Sequence, residues 1–151
     1  MKVQTKFFGE VEVAADEIIH FPDGLPGFET EKEFVYLHPE DSVFGCLQSC
    51  HHPHTAFIVL SPYKLCSDYE FDLAEEKREA LAIKKLEKVL VLAIVTIPPE
   101  NPEEATVNLY APIVINTNAN KGMQIILSES GYPLRCKLWT KEGSASIVAA
   151  K

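Results

Sequence analysis

The residues with the most obvious chemical potential lie in Cys46-x-x-x-Cys50-His51-His52-Pro53-His54, which puts five potential zinc ligands into nine positions. Thiolates and imidazoles at this density suggest a metal sensor or a metal-dependent enzyme, with Cys46, Cys50, His51 and His54 as candidate ligands. The spacing argues against that chemistry. Zinc sites usually take ligands as two pairs from separate turns, whereas alternate side chains of a strand face opposite sides. Cys46 and Cys50 therefore share a face that His51 does not, and the cluster reads as two small core thiols followed by solvated imidazoles. No other enzymatic constellation stands out. G-x-S-x-G, H-E-x-x-H and a phosphate-cradling glycine loop are missing from the sequence. Pro22 and Pro26 remove amides that a phosphate nest beside Gly24 and Gly27 would need. His20, alone at a strand end, reads as a structural residue.

The elements that must carry these residues are short and mostly extended. Val3 to Phe8 and Val11 to Val13 predict a hairpin about Gly9-Glu10. Ile18–Phe21, Phe34–Leu37, Phe44–Ser49, Ala56–Leu60 and Tyr69–Leu73 predict further strands, separated by prolines or polar residues. Asp72 as N-cap and Glu75 as its capping-box partner predict one short surface helix at about 73–83, with Leu73, Ala80 and Leu81 inward and the K-K-L-E-K end at the dipole's negative pole. Val89 to Ile97 is apolar on both faces and predicts a central strand buried on both sides. Pro98 to Glu104 predicts a stiff acidic loop, and Gln124 to Leu127 the strand that closes the sheet. The class is all-β, a single domain over 1–140, with 141–151 as a flexible tail.

Thr106 to Asn116, T-V-N-L-Y-A-P-I-V-I-N, places two β-branched runs around Ala111-Pro112. Proline has no amide to donate, so Pro112 belongs at a sheet edge, a strand start or a bulge. An interrupted edge with unpaired carbonyls and the amides of Asn108 and Asn116 nearby would suit a peptide partner.

Composition narrows the partners. At 151 residues the chain is long enough to bury roughly two thirds of its unfolded surface without staples. With no apolar signal core at the N-terminus and no run long enough to span a bilayer, the expected compartment is the cytoplasm, and the four cysteines are expected to be free thiols. Twenty-two acidic against 14 basic residues give a formal charge of −8, which disfavours nucleic acid and anionic membranes and suits a basic protein partner. No cofactor is expected.

Taken together, I-I-H-F at Ile18 to Phe21, G-L-P-G-F-E at Gly24 to Glu29, E-F-V at Glu33 to Val35, L-Q-S at Leu47 to Ser49, D-Y-E at Asp68 to Glu70 and N-L-Y-A-P-I-V-I-N at Asn108 to Asn116 resemble the FliW family of flagellar assembly factors. The resemblance runs collinearly from about Thr5 to about Tyr132. It implies an antiparallel, barrel-like fold and a non-enzymatic protein with two partners. One is newly made flagellin, which it would hold as a chaperone. The other is CsrA, the repressor of flagellin translation, contacted away from its RNA-binding surface. The expected partner-binding residues are Gln48, Ser49, Asn108, Tyr110 and Asn116 as exposed or half-buried polar contacts, and Asp68, Glu70, Glu103 and Glu104 as acidic contacts to CsrA. Gly24, Pro26 and Gly27 are expected to shape a loop, with φ > 0 at Gly24. Phe28 either plugs the barrel end or stands out as an interface anchor, the plug being preferred.

Overall fold

A computed structural model describes residues 1–84 and 88–139. Eleven strands and one α-helix follow in order: β1 Lys2–Gln4, β2 Glu10–Glu12, β3 Ile18–His20, β4 Glu33–Leu37, β5 Phe44–Ser49, β6 Ala56–Leu60, α1 Glu75–Ala80, β7 Val89–Thr96, β8 Thr106–Val107, β9 Ile113–Asn116, β10 Lys121–Gln124 and β11 Cys136–Lys137. The strands β7-β6-β5-β4-β3-β10-β9 form a sheet in which β9 pairs back onto β7, closing a seven-stranded barrel. Every pairing around it is antiparallel except β3 with β10, a single parallel bridge between His20 and Lys121. Closure removes the free sheet edges that invite unwanted pairing.

Alternation along the strands sends one set of side chains inward. Phe21, Leu25, Phe34, Leu47, Val59, Leu92, Ile113 and Ile115 fill the interior with Ile19, and Phe21 meets Phe34 edge to face at 5.2 Å. The other faces are not left to water. The β1–β2 hairpin covers the outside of β4 and β5 through Val3, Val13, Val35 and Cys50. Residues from Leu60 to Ile83 and from Met123 to Leu138 cover the outside of β6, β7 and β9, burying Leu81, Ala93, Val95 and Val114. This outer layer is why V-L-V-L-A-I-V-T is apolar on both faces.

Several local expectations shift. The hairpin strands are shorter than expected, because Thr5 closes a turn with its amide and hydroxyl both on the Gly9 carbonyl, at 2.9 and 2.6 Å. Phe7 and Phe8 ride on that turn and are exposed, not core. Helix α1 begins after Ala74, not Asp72, so the expected capping box does not form. It ends where Ile83 N–H donates to Arg78 O and Ala82 N–H to Glu79 O, the two bonds of a Schellman motif, with Ala82 at φ 56°. Leu81 is buried as expected, whereas Ala80 is exposed. Within the K-K-L-E-K end, Lys85, Leu86 and Glu87 lie outside the described residues, as does the tail from 141 to 151. Tyr69–Leu73 pairs with no described strand. No helix among the described residues is long and apolar enough to cross a membrane.

Candidate functional site

The Thr106 to Asn116 segment runs antiparallel to β7 throughout, but in two registers. Val95 faces Val107 and Leu92 faces Ile113, so three steps on β7 (95 − 92) oppose six on the other side (113 − 107). Three extra residues are looped out, and Pro112 stands at the end of that bulge, immediately before β9. The side-chain oxygen of Asn108 and the four carbonyls that follow it all have partners inside the protein. Asn108 Oδ1 accepts from the amides of Tyr110 and Ala111, both at 3.0 Å. The carbonyls of Leu109, Tyr110, Ala111 and Pro112 accept from Tyr69 Oη–H at 2.8 Å and from Leu127 N–H, Gln124 Nε2–H and Ile125 N–H at 2.9 Å. The expectation of an open edge with unpaired carbonyls is thus corrected. The bulge is stitched to the second layer, and a peptide could not displace those bonds without unfolding it.

Three of the expected polar contacts are buried, contrary to the exposure proposed for them. Asn116 donates through Nδ2 to Leu81 O at 2.8 Å and Ala82 O at 3.0 Å, and accepts through Oδ1 from Asn118 N–H at 2.9 Å and Ala119 N–H at 3.2 Å. Gln48, fully buried, accepts from Lys6 N–H at 2.9 Å and so pins the Phe7-Phe8 turn to the barrel. Ser49 is buried as well: its hydroxyl donates to Glu31 and accepts from the amides of His51 and His52 at 3.2 and 3.1 Å. A β-branched sequence with an asparagine in it does not reveal whether the amide faces a partner or its own chain.

The remaining candidates sit at the surface in separate places. Asp68 is exposed and accepts a hydrogen bond from the Cys66 thiol at 3.1 Å. Glu103 and Glu104 form an exposed turn, and Glu104 lines a groove of about 490 Å³ with half-buried Asn108 and the exposed Leu134. Tyr110 is half-buried. Glu70 lies on the wall between two grooves, one of about 520 Å³ against Tyr63, Tyr69 and Val91 and one of about 700 Å³ against Ile126, Glu129 and Tyr132. Tyr63, Phe71 and Asp72, absent from the sequence-based set, line the first of these. The signal for Phe71 and Asp72 was D-Y-E-F-D, whose acidic and aromatic residues alternate as on a strand; Tyr63 lies outside it.

The cysteine and histidine cluster separates into unrelated roles. Cys46 and Cys50 are buried, and burial pushes both thiols up to about 11. His51 Nε2 lies 2.6 Å from Glu33, and His52 Nδ1 lies 2.5 Å from the buried Glu31; His54 is exposed. No three histidine, cysteine or acidic side chains among the described residues are placed to hold a metal ion. The metal reading is not supported. With pKa values near 11 only about one thiol in a thousand is thiolate at pH 8, and the thiolate is the nucleophile. Cys46 and Cys50 are therefore expected to resist a disulfide reagent such as dithionitrobenzoate in the native protein at pH 8 and to react once it is unfolded, which peptide mapping after labelling reads directly. Rapid native labelling at either position would contradict their burial.

The loop Pro22 to Glu29 combines Gly24 at φ +63° with a fold-back in which Phe28 N–H donates to Leu25 O at 2.6 Å. Leu25, not Phe28, enters the barrel interior. Phe28 lies edge-on to Phe57, ring centroids 5.2 Å apart, and keeps 40% of its surface exposed.

Comparison with known proteins decides the kinship. The model of the family described as FliW protein matches residues 2–138. The chain belongs to the FliW family. The flagellar assembly factor FliW of Caldicellulosiruptor saccharolyticus is 43% identical over 137 residues, covering 91% of this chain and 90% of that one. That of Bacillus licheniformis is 47% identical over 134 residues, 87% and 92% of the two chains. A crystal structure of the flagellar assembly factor FliW superposes with a TM-score of 0.87 at 34% identity, covering 94% of this chain and 99% of that one. The closed barrel, the short helix α1 and the two-register bulge all lie inside the matched region.

Proposed function

We propose that this protein works by binding other proteins and not by catalysis: in the cytoplasm it holds flagellin as a chaperone and alternates between flagellin and CsrA. Accumulated flagellin would occupy it and free CsrA to repress flagellin translation, and export of flagellin would reverse the exchange. Membership of the FliW family over residues 2–138 carries this reading. The geometry supports it in one respect. Apolar side chains occupy the barrel interior, so the outer grooves are left to meet a partner. A formal charge of −8 would speed encounter with a basic partner and make that rate sensitive to salt.

A competition experiment tests the reading. With this protein immobilised and loaded with CsrA from its own organism, added flagellin is expected to release CsrA in proportion to the flagellin captured. Binding of neither protein would overturn the proposal, and simultaneous binding of both would remove the exchange from it.

A further inference from the structure

Residues Asp68 to Leu73 look like a strand that has no neighbour among the described residues. Burial alternates along them, with Tyr69 buried, Phe71 and Leu73 half-buried and Asp68, Glu70 and Asp72 exposed, which is the period of a sheet lying on a core. The inward side is fixed. Tyr69 packs against Phe71 at 5.8 Å and Tyr132 at 4.5 Å, its hydroxyl donates to Leu109 O, and Glu70 N–H donates to Tyr132 Oη at 3.0 Å. Beyond Glu70 the ladder is missing: the backbone groups of Phe71, Asp72 and Leu73 make no hydrogen bond to any described residue. Such a segment is a template for an added strand.

The side chains beside it indicate which peptide fits. Tyr63 is 43% exposed and stands edge-on to Tyr69 at 5.7 Å, so the groove has an open aromatic wall. Glu70 and Asp72 line the same groove, and neither carboxylate has a cationic partner within 4 Å among the described residues. An aromatic wall with unpaired carboxylates recognises a lysine or arginine, whose apolar stem lies on the rings while its head meets the acids. Arg78 on the helix wall of the groove would repel a wholly basic segment.

We propose that the Phe71–Leu73 strap is a docking site for an extended segment of a partner protein, which adds a strand to the strap and places one lysine or arginine between Tyr63 and the carboxylates of Glu70 and Asp72. This assigns a surface to the partner-binding reading above and rests on it for the existence of a partner.

The test uses the full chain and two defined probes, Ac-Thr-Val-Arg-Val-Thr-NH2 and the same peptide with glutamate in place of arginine. In an amide NMR titration the arginine peptide is expected to shift the Phe71, Asp72 and Leu73 signals and slow their hydrogen exchange. Each charge contact of this exposed kind contributes less than a factor of about ten, so Glu70→Gln combined with Asp72→Asn is expected to weaken binding roughly tenfold. Both side chains are exposed, and unchanged signals elsewhere verify that the variant is folded. Shifts centred away from the strap, or equal binding of the glutamate peptide, would overturn the proposal. The partner-switch reading fails separately, if the wild-type protein binds neither flagellin nor CsrA; the strap alone fails if both bind but the arginine peptide does not reach it.

Discussion

Replacing Asn116 with alanine is expected to destabilise the protein by about 2–4 kcal/mol, lowering the melting temperature by roughly 10 °C for a chain of this size. The size follows from what the amide holds. Its Nδ2 group bridges the Leu81 and Ala82 carbonyls, and its Oδ1 closes the turn after β9 through two amides. Alanine leaves four backbone groups to find other partners beneath a side chain that is only 3% exposed. Two of them belong to the helix exit, where Ala82 sits at φ 56°, a conformation that costs an alanine about 1 kcal/mol. Asn116 offsets that cost by fastening the exit to the barrel. Thermal unfolding followed by circular dichroism decides the matter. A variant that melts like the wild type while losing one partner would make Asn116 a contact residue after all.

How far the chain could be read from its sequence depended on whether the deciding interaction was local. The strands β3 to β7 follow from apolar runs and proline punctuation, because those signals act within a few residues. Strand-like alternation in D-Y-E-F-D was legible too, yet it pointed to a paired strand, and pairing is settled by whether a neighbour is available. The Pro112 bulge was legible as an interruption. Its stitching was not, since the bonds that satisfy it come from Tyr69, Gln124, Ile125 and Leu127, which no local pattern links to Asn108. The same limit explains the site. Gln48, Ser49 and Asn116 are polar residues within apolar runs, a pattern equally suited to a partner contact and to a buried bond across the fold. Distance in sequence separates the two cases: the Gln48 to Lys6 bond spans 42 positions and the Asn116 to Leu81 bond 35.

Gly24 and Gly27 separate backbone strain from crowding within one loop, and the expected costs differ. Both have positive φ, at +63° and +85°, so alanine at either position is strained by about 1 kcal/mol. Space distinguishes them. A Cβ at Gly27 meets nothing within 4 Å, whereas one at Gly24 would come within 2.5 Å of Phe28 O and 2.7 Å of Glu29 Cα and O. Those are backbone atoms, which cannot swing aside as a side chain would. Moving them disturbs the Leu25–Phe28 fold-back that inserts Leu25 into the barrel interior. Gly24→Ala is therefore expected to cost about 3–4 kcal/mol, the strain plus an overpacking term of roughly 2–3 kcal/mol, against about 1 kcal/mol for Gly27→Ala. Urea unfolding of both variants measures the difference. Because Leu25 lies among Phe21, Phe34 and Leu47, the larger loss should appear as a lower midpoint for the whole barrel, not as a local change in the loop. Equal losses in the two variants would mean that the loop yields at Gly24 without dislodging Leu25, and that its glycine serves only the turn.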